Sequence, residues 1–206
     1  MSYYINHIEP SIESAKEVID LRFKNMVCSG VPEHIANKVA DSGNAEHIGR
    51  QIDKLRLNNI MRQFGAFSLK SNSMVGYFTS DEWHATDQLP FSHGLEYVDV
   101  AARSMISDTL AGSPLGVHEL LVDDCDEGAE EVIDMLLHRI TIMADEREVV
   151  TPIRNNHMIL SALARYGFEL TDRQADFPDG HKMLCRRPQY VFSQSEFNQA
   201  RQAEYC

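Results

Sequence analysis

The chain has 206 residues, of which 43% are hydrophobic and 24% are charged. These values are ordinary for one globular domain, and they exclude a disordered, collagen-like or coiled-coil chain. Asp and Glu number 31 against 19 Lys and Arg, so the formal net charge is -12. That excess argues against a nonspecific nucleic-acid binder and against docking to anionic membranes.

Several kinds of segment and site are not predicted. The sequence shows no apolar run of about 20 residues that would span a membrane, and its first ten residues do not follow the signal-peptide pattern. None of the four cysteines forms a CxxC pair, so we expect reduced thiols in a cytoplasmic protein. The nine histidines show no metal-ligand spacing, and we expect no metal.

The first half of the chain predicts a strand, three helices and a hairpin. A strand is expected over 2–8, and a helix begins after Ser11, a candidate N-cap. The apolar residues at helical spacing after it are Ile12, Ala15, Ile19 and Met26. Two more helices are expected over 32–41 and from about 44 to 62. The hairpin is expected from strands over 66–70 and 74–78.

Residues 81–114 carry mixed signals and are interpreted as a variable insert, after which strands and helices alternate. The later strands are predicted over 116–122, 148–153, 168–171 and 182–186, and the helices over 127–144 and 156–166. Residues 188–206 form a polar tail. This order predicts an α/β (α+β) fold in one domain over 1–187, with a mixed central β-sheet flanked by helices.

The clearest motif is Asn156, followed eleven residues later by Gly167-Phe168 at the end of a helix. This spacing and the order of elements resemble the GNAT superfamily of acyl-CoA-dependent N-acetyltransferases, roughly over 1–187 and most strongly over 115–187. The resemblance implies transfer of an acetyl group from acetyl-CoA to an amine, with Asn156 near the pantetheine arm. Singly, Gly167 is also an ordinary helix stop, and Asn156 an ordinary helix-start residue.

The predicted coenzyme loop departs from the family pattern. Family members carry R/Q-x-x-G-x-G/A before the helix, where glycines let backbone N–H groups approach the pyrophosphate. Here Glu127, Glu130 and Val132 stand at the Arg and the two glycine positions. A shifted register places Ala129 on the last glycine, but leaves acidic residues on the other two positions. Cofactor contacts are then expected from Leu121, Val122, Gly128, Ala129 and Asn156.

The acidic loop also has a purely structural interpretation. Seven of the twelve residues over 123–134 are acidic, and acidic residues stabilise a helix N-terminus through its dipole. Asp124 or Asp126 would then cap the helix.

The candidate general bases are His118 and Glu119, which stand on the strand before the loop. Regular alternation would place them on opposite faces of the sheet, so at most one would face the cleft. The alternatives are a buried histidine, on the face of Leu120 and Val122, and a solvated glutamate. Many family members have a tyrosine acid at the position of Leu163.

Two hypotheses follow. The chain is an N-acetyltransferase whose acceptor is a small-molecule or peptide amine, or it is a GNAT-like binding or assembly module without catalysis. Either is compatible with a homodimer, and neither requires nucleic acid or a membrane.

Overall fold

A computed structural model of the protein describes residues 2–57, 62–82, 115–145, 147–153, 156–177 and 180–187. The strands are β1 (Tyr3–His7), β2 (Arg62–Ser68), β3 (Met74–Glu82), β4 (Leu115–Val122), β5 (Val149–Ile153), β6 (Glu169–Phe177) and β7 (Gly180–Arg187). The helices are α1 (Ile12–Cys28), α2 (Glu33–Val39), α3 (Ala45–Leu55), α4 (Ala129–Ala144) and α5 (His157–Arg165).

The seven strands form one sheet in the order β1-β2-β3-β4-β5-β7-β6. Strands β4 and β5 are parallel, and the other neighbours are antiparallel. The predicted mixed sheet and the predicted hairpin are therefore confirmed.

Strands β4 and β5 part soon after they meet. Their register joins Leu115 to Val149 and Gly116 to Val150, although β4 continues to Val122. The rest of β4 and β5 therefore diverges towards the end of β4, where the loop to α4 begins. The two strands therefore separate near the start of that helix.

Helices cover both faces of the sheet. On one face α4 and α5 pack against a core that includes Phe78, Leu120 and Val122. On the other face α1 and α3 pack against Tyr77 and Leu121. Because neighbouring strand residues point to opposite faces, the pairs Tyr77/Phe78 and Leu120/Leu121 supply both cores.

Helix α1 confirms the predicted N-cap but contradicts the predicted position of Ile12. The side chain of Ser11 caps α1 by accepting from the N–H of Ser14 at 3.0 Å, as predicted. Ile12 was expected on the buried face, but 59% of it is exposed. The first buried residue of α1 is Ala15, so Ile12 precedes the part of the helix that packs on the sheet.

Several boundaries also differ from the predictions. Helix α3 ends at Leu55 rather than near 62, and β2 covers Arg62–Ser68 rather than 66–70. Helix α4 begins at Ala129 rather than 127, and β3 extends to Glu82, two residues into the predicted insert. Strand β6 extends to Phe177, beyond the predicted 168–171. The rest of the insert and the tail at 188–206 lie outside the described residues, and the limits of the domain stay a prediction. In the described part of the chain, every helix is too short or too polar to cross a bilayer.

Candidate active site

Strand β4 contains a β-bulge at the two candidate bases. Thr79 of β3 faces Glu119, but the next residue, Ser80, faces Val117. Strand β4 therefore has one more residue than β3 at His118, and this bulge interrupts the regular alternation assumed from sequence. Bulges of this kind change the direction of neighbouring side chains, which is how a strand can present a residue towards a cleft.

His118 is partly buried, and its Nε2 atom is buried. The pKa of His118 is lowered to about 4, first by burial and then by the charge of Lys54, while Glu119 opposes both effects. The imidazole is therefore neutral at pH 7. A neutral imidazole can accept a proton, here only weakly because its pKa is low.

Glu119 is held by two cations. Arg22 of α1 donates from Nε to Oε1 and from Nη2 to Oε2, the second at 2.9 Å. The Nζ atom of Lys54 lies 3.5 Å from Oε2. Only 16% of the Glu119 side chain is exposed, so the solvated alternative is wrong. Two cations therefore stabilise the negative charge of this carboxylate.

Polar side chains hold the guanidinium of Arg22 and the backbone of Lys54. Arg22 Nη2 also donates to Gln51 Oε1 at 3.0 Å. The backbone carbonyl of Lys54 accepts from Gln63 Nε2 at 2.7 Å, and Gln63 Oε1 accepts from the Tyr77 hydroxyl at 2.8 Å. Burial raises the pKa of Tyr77, so its hydroxyl stays a donor. The network connects α1, α3, β2, β3 and β4.

The backbone of Val122, an expected cofactor contact, already has a partner. Asp123 donates its N–H to Val75 of β3, so the N–H and carbonyl of Val122 point the other way, towards the opening between β4 and β5. The side chain of Asn25 donates to the Val122 carbonyl at 2.6 Å and accepts from its N–H at 3.5 Å. The side chains of Leu121 and Val122 are both buried.

Two acidic side chains bind the backbone of the loop. The Oδ1 atom of Asp123 accepts from the N–H of Cys125 at 3.2 Å, and Asp126 Oδ1 accepts from the N–H of Gly128 at 2.8 Å. Lys24 donates to Asp123 Oδ2. Backbone N–H groups of the kind that a pyrophosphate would bind, those of Cys125 and Gly128, therefore already donate to carboxylates of this chain. The prediction that Asp124 or Asp126 caps the helix is wrong, because the N-cap of α4 is Gly128 and no side chain caps it. Asp126 instead binds the loop just before α4.

Gly128 makes room for a tyrosine. A Cβ atom at this position would lie 2.1 Å from the hydroxyl oxygen of Tyr3 and 2.3 Å from its ring. That hydroxyl donates to Asp126. The absence of a side chain at Gly128 is thus explained by contact with β1, without a coenzyme.

Of the other residues singled out around the start of α4, one is buried and two are exposed. Ala129 packs in the core, and its N–H donates to the Asp126 carbonyl at 3.1 Å. Glu127 and Glu130 are exposed. Their carboxylates therefore face solvent.

Asn156 is the N-cap of α5. Its Oδ1 accepts from the N–H groups of Met158 and Ile159 at 3.0 and 3.1 Å. Its Nδ2 donates to Asp124 Oδ2 at 2.6 Å. Burial raises the pKa of Asp124, while the hydrogen bond from Asn156 lowers it. The predicted contact with pantetheine stays a prediction, and it would require Asn156 to exchange one of these partners.

The position of the family's tyrosine is filled by a core residue. Leu163 is buried. The nearby Tyr166 packs against the core and donates its hydroxyl to the Asp134 carbonyl at 2.9 Å. Burial raises the pKa of Tyr166, and the charge of Asp134 raises it further. In the described ranges no group of three or more His, Cys, Asp or Glu side chains could hold a metal ion.

Sequence reasoning did not find the residues of α1 and α3 that reach β4. Arg22, Asn25 and Lys54 were not singled out, although Asn25 gave a usable signal. It follows Val18 and Leu21 at helical spacing and is buried like them. A polar residue on an apolar helix face requires hydrogen-bond partners.

This chain is similar to known proteins in its three-dimensional structure but not in its sequence. No protein-family model matches the chain, and no curated protein sequence matches it. The fold is similar to PaiA N-acetyltransferase from Thermoplasma acidophilum in complex with coenzyme A, at 14% identity and a TM-score of 0.55, covering 92% of this chain and 100% of that one. It is also similar to a GNAT-family acetyltransferase from Streptococcus agalactiae, at 12% identity and a TM-score of 0.60, covering 92% and 96%.

A third similar structure comes from the yellow fever mosquito Aedes aegypti. This putative arylalkylamine N-acetyltransferase 7 is 14% identical, with a TM-score of 0.57, and the match covers 89% of this chain and 86% of that one. At such identities the likeness establishes the fold. The chain has the fold of the GNAT acetyltransferases.

Proposed function

We propose that the protein is an acyl-CoA-dependent N-acetyltransferase that moves an acetyl group from acetyl-CoA to an amine. The observation that carries the proposal is the parting of β4 from β5 after Gly116, within a fold shared with acetyltransferases. The opening between the strands would receive the thioester arm, and the bulge at His118 and Glu119 lies on its border.

The roles of the two candidate bases differ under this proposal. Glu119, held by Arg22 and Lys54, is a positioning residue that fixes this part of β4. His118 is the neutral group that can take the proton of the amine as it attacks the thioester. Acetyl-CoA would supply the acetyl group as a thioester, whose carbonyl carbon is the atom that the amine attacks.

Calorimetric titration with acetyl-CoA tests the proposal directly. Turnover is then measured with a panel of small amines and amine-terminated peptides, by chromatography of released coenzyme A. Thiol-reactive dyes are unsuitable because the chain has 4 cysteines. Absence of binding at millimolar acetyl-CoA refutes the proposal.

Asn156→Ala tests the predicted pantetheine contact. Loss of a buried hydrogen bond should weaken acetyl-CoA binding by about 1–3 kcal/mol. The matched control is Asn44→Ala, because Asn44 caps α3 in the same way, accepting from the N–H of Glu46 at 2.9 Å. Equal affinity in both variants would remove Asn156 from the site.

The second candidate is a binding or assembly module without catalysis. The occupied donors of Cys125 and Gly128 favour it, because coenzyme binding would have to displace Asp123 and Asp126 from them. Glu127→Arg with Glu130→Gly separates the candidates. Because both glutamates face solvent, micromolar binding by the wild type with no gain in the double variant supports the enzyme. Failure of both forms to bind supports the module.

A further inference from the structure

One carboxylate faces two cations where α1 and α3 meet β4. Arg22 donates to both oxygens of Glu119, whereas Lys54 reaches only Oε2, at 3.5 Å. The ammonium of Lys54 is therefore the more loosely held of the two cations.

The surroundings of Lys54 make its ammonium easier to deprotonate than that of an ordinary lysine. Its side chain is 26% exposed, and its backbone carbonyl is fixed by Gln63. Burial lowers the pKa of Lys54, and the charge of Arg22 lowers it further, while Glu119 opposes both effects. A neutral amine carries the lone pair that attacks a carbonyl carbon.

Lys54 also lies beside the part of β4 that has left β5. Its partner Glu119 stands three residues beyond Gly116, the last β4 residue in register with β5. An acyl group held in the opening between the two strands would therefore be near this amine.

We propose that Lys54 is a self-acetylation site, at which the bound coenzyme transfers its acetyl group to the protein. This inference rests on the proposed function. The Nζ lone pair forms an N–C bond to the thioester carbonyl carbon, and the C–S bond breaks. Coenzyme A leaves as the thiolate and takes up the proton that the nitrogen releases. The product is a neutral amide, which leaves Arg22 and Glu119 as a balanced ion pair.

A structural role for Lys54 gives a different expectation. Lys54 lies in the last turn of α3, where a cation is stabilised by the helix dipole. If that were its whole purpose, Lys54 would react with acetyl-CoA no faster than a surface lysine. Lys38, exposed in the last turn of α2, is the matched comparison.

The experiment follows acetylation of each lysine in the full-length protein by peptide mass mapping, over a range of acetyl-CoA concentrations. Acetylation of Lys54 should be faster than that of Lys38, should saturate with acetyl-CoA and should be slowed by excess coenzyme A. Lys54→Arg should lose this saturable acetylation, and Lys38→Arg should retain it.

Calorimetry on the same sample separates the two possible failures. If acetyl-CoA binds but Lys54 reacts no faster than Lys38, the self-acetylation proposal is overturned and the proposed function stands. If acetyl-CoA does not bind, both proposals are overturned. Because the decisive rates come from the wild-type chain, the result does not depend on the folding of a variant.

Discussion

Gly128→Ala should disrupt the contact between the loop and β1. The new Cβ atom would lie within 2.1–2.5 Å of the hydroxyl oxygen and two ring carbons of Tyr3. The backbone of Gly128 has φ of -104°, which alanine adopts without strain. The whole cost should therefore come from moving the tyrosine.

The expected loss of stability can be estimated from two contributions. Overpacking of a buried site costs about 1–3 kcal/mol, and loss of the hydrogen bond from Tyr3 to Asp126 costs about 1 kcal/mol. Tyr3 lies on an edge strand and can swing outwards, which limits the total. We expect the free energy of unfolding to fall by roughly 2–3 kcal/mol.

Urea unfolding of four proteins provides the test: wild type, Gly128→Ala, Tyr3→Ala and the double variant. When Tyr3 is already alanine, adding Gly128→Ala should cost about 1–3 kcal/mol less than in the wild type, because the clash is gone. Tyr3→Phe is a control that keeps the ring and so keeps most of the penalty. Equal costs in both backgrounds would show that Gly128 is required for another reason.

Three further predictions concern titratable groups. The pKa of His118 is about 4 in the folded chain against an ordinary 6.5, so the unfolded chain binds more protons between these values. The free energy of unfolding should therefore fall as the pH drops from about 6.5 to about 4. His118→Gln should remove this part of the pH profile measured by urea unfolding. The pKa of Asp124 is raised by burial, so Asp124→Asn should increase the free energy of unfolding at pH 7. The new amide still offers an oxygen that accepts from Asn156. This increase should shrink in acid, and an increase that did not shrink would contradict the raised pKa of Asp124. Burial and the nearby Asp124 raise the pKa of the exposed Cys28, so iodoacetamide should alkylate it more slowly in the folded chain than in urea, as measured by mass mapping.

Features set by nearby residues could be predicted from the sequence. Ser11 caps the helix that begins at the next residue, and Asn156 caps α5 in the same way. The strands and helices after residue 115 alternate as their hydrophobic patterns indicate. Each of these features depends on a few neighbouring positions, so local spacing was sufficient.

Features set by distant residues could not be predicted. Glu119 was interpreted as a residue that is either catalytic or solvated, but its main partner, Arg22, lies 97 positions earlier. The bulge at His118 arises from pairing with β3, and the sequence of β4 alone does not show it. Gly128 could be recognised as unusual, whereas its neighbour Tyr3 could be found only in the folded chain.

The contact of Tyr3 with the loop also bears on how the protein is synthesised. Tyr3 and Asp126 are 123 positions apart, so at about 5–20 residues per second the ribosome adds Asp126 roughly 6–25 s after Tyr3. During that interval the tyrosine has no loop to bind, even if β1 has already paired with β2. The acidic loop therefore reaches its final shape only when two segments that are synthesised many seconds apart come together.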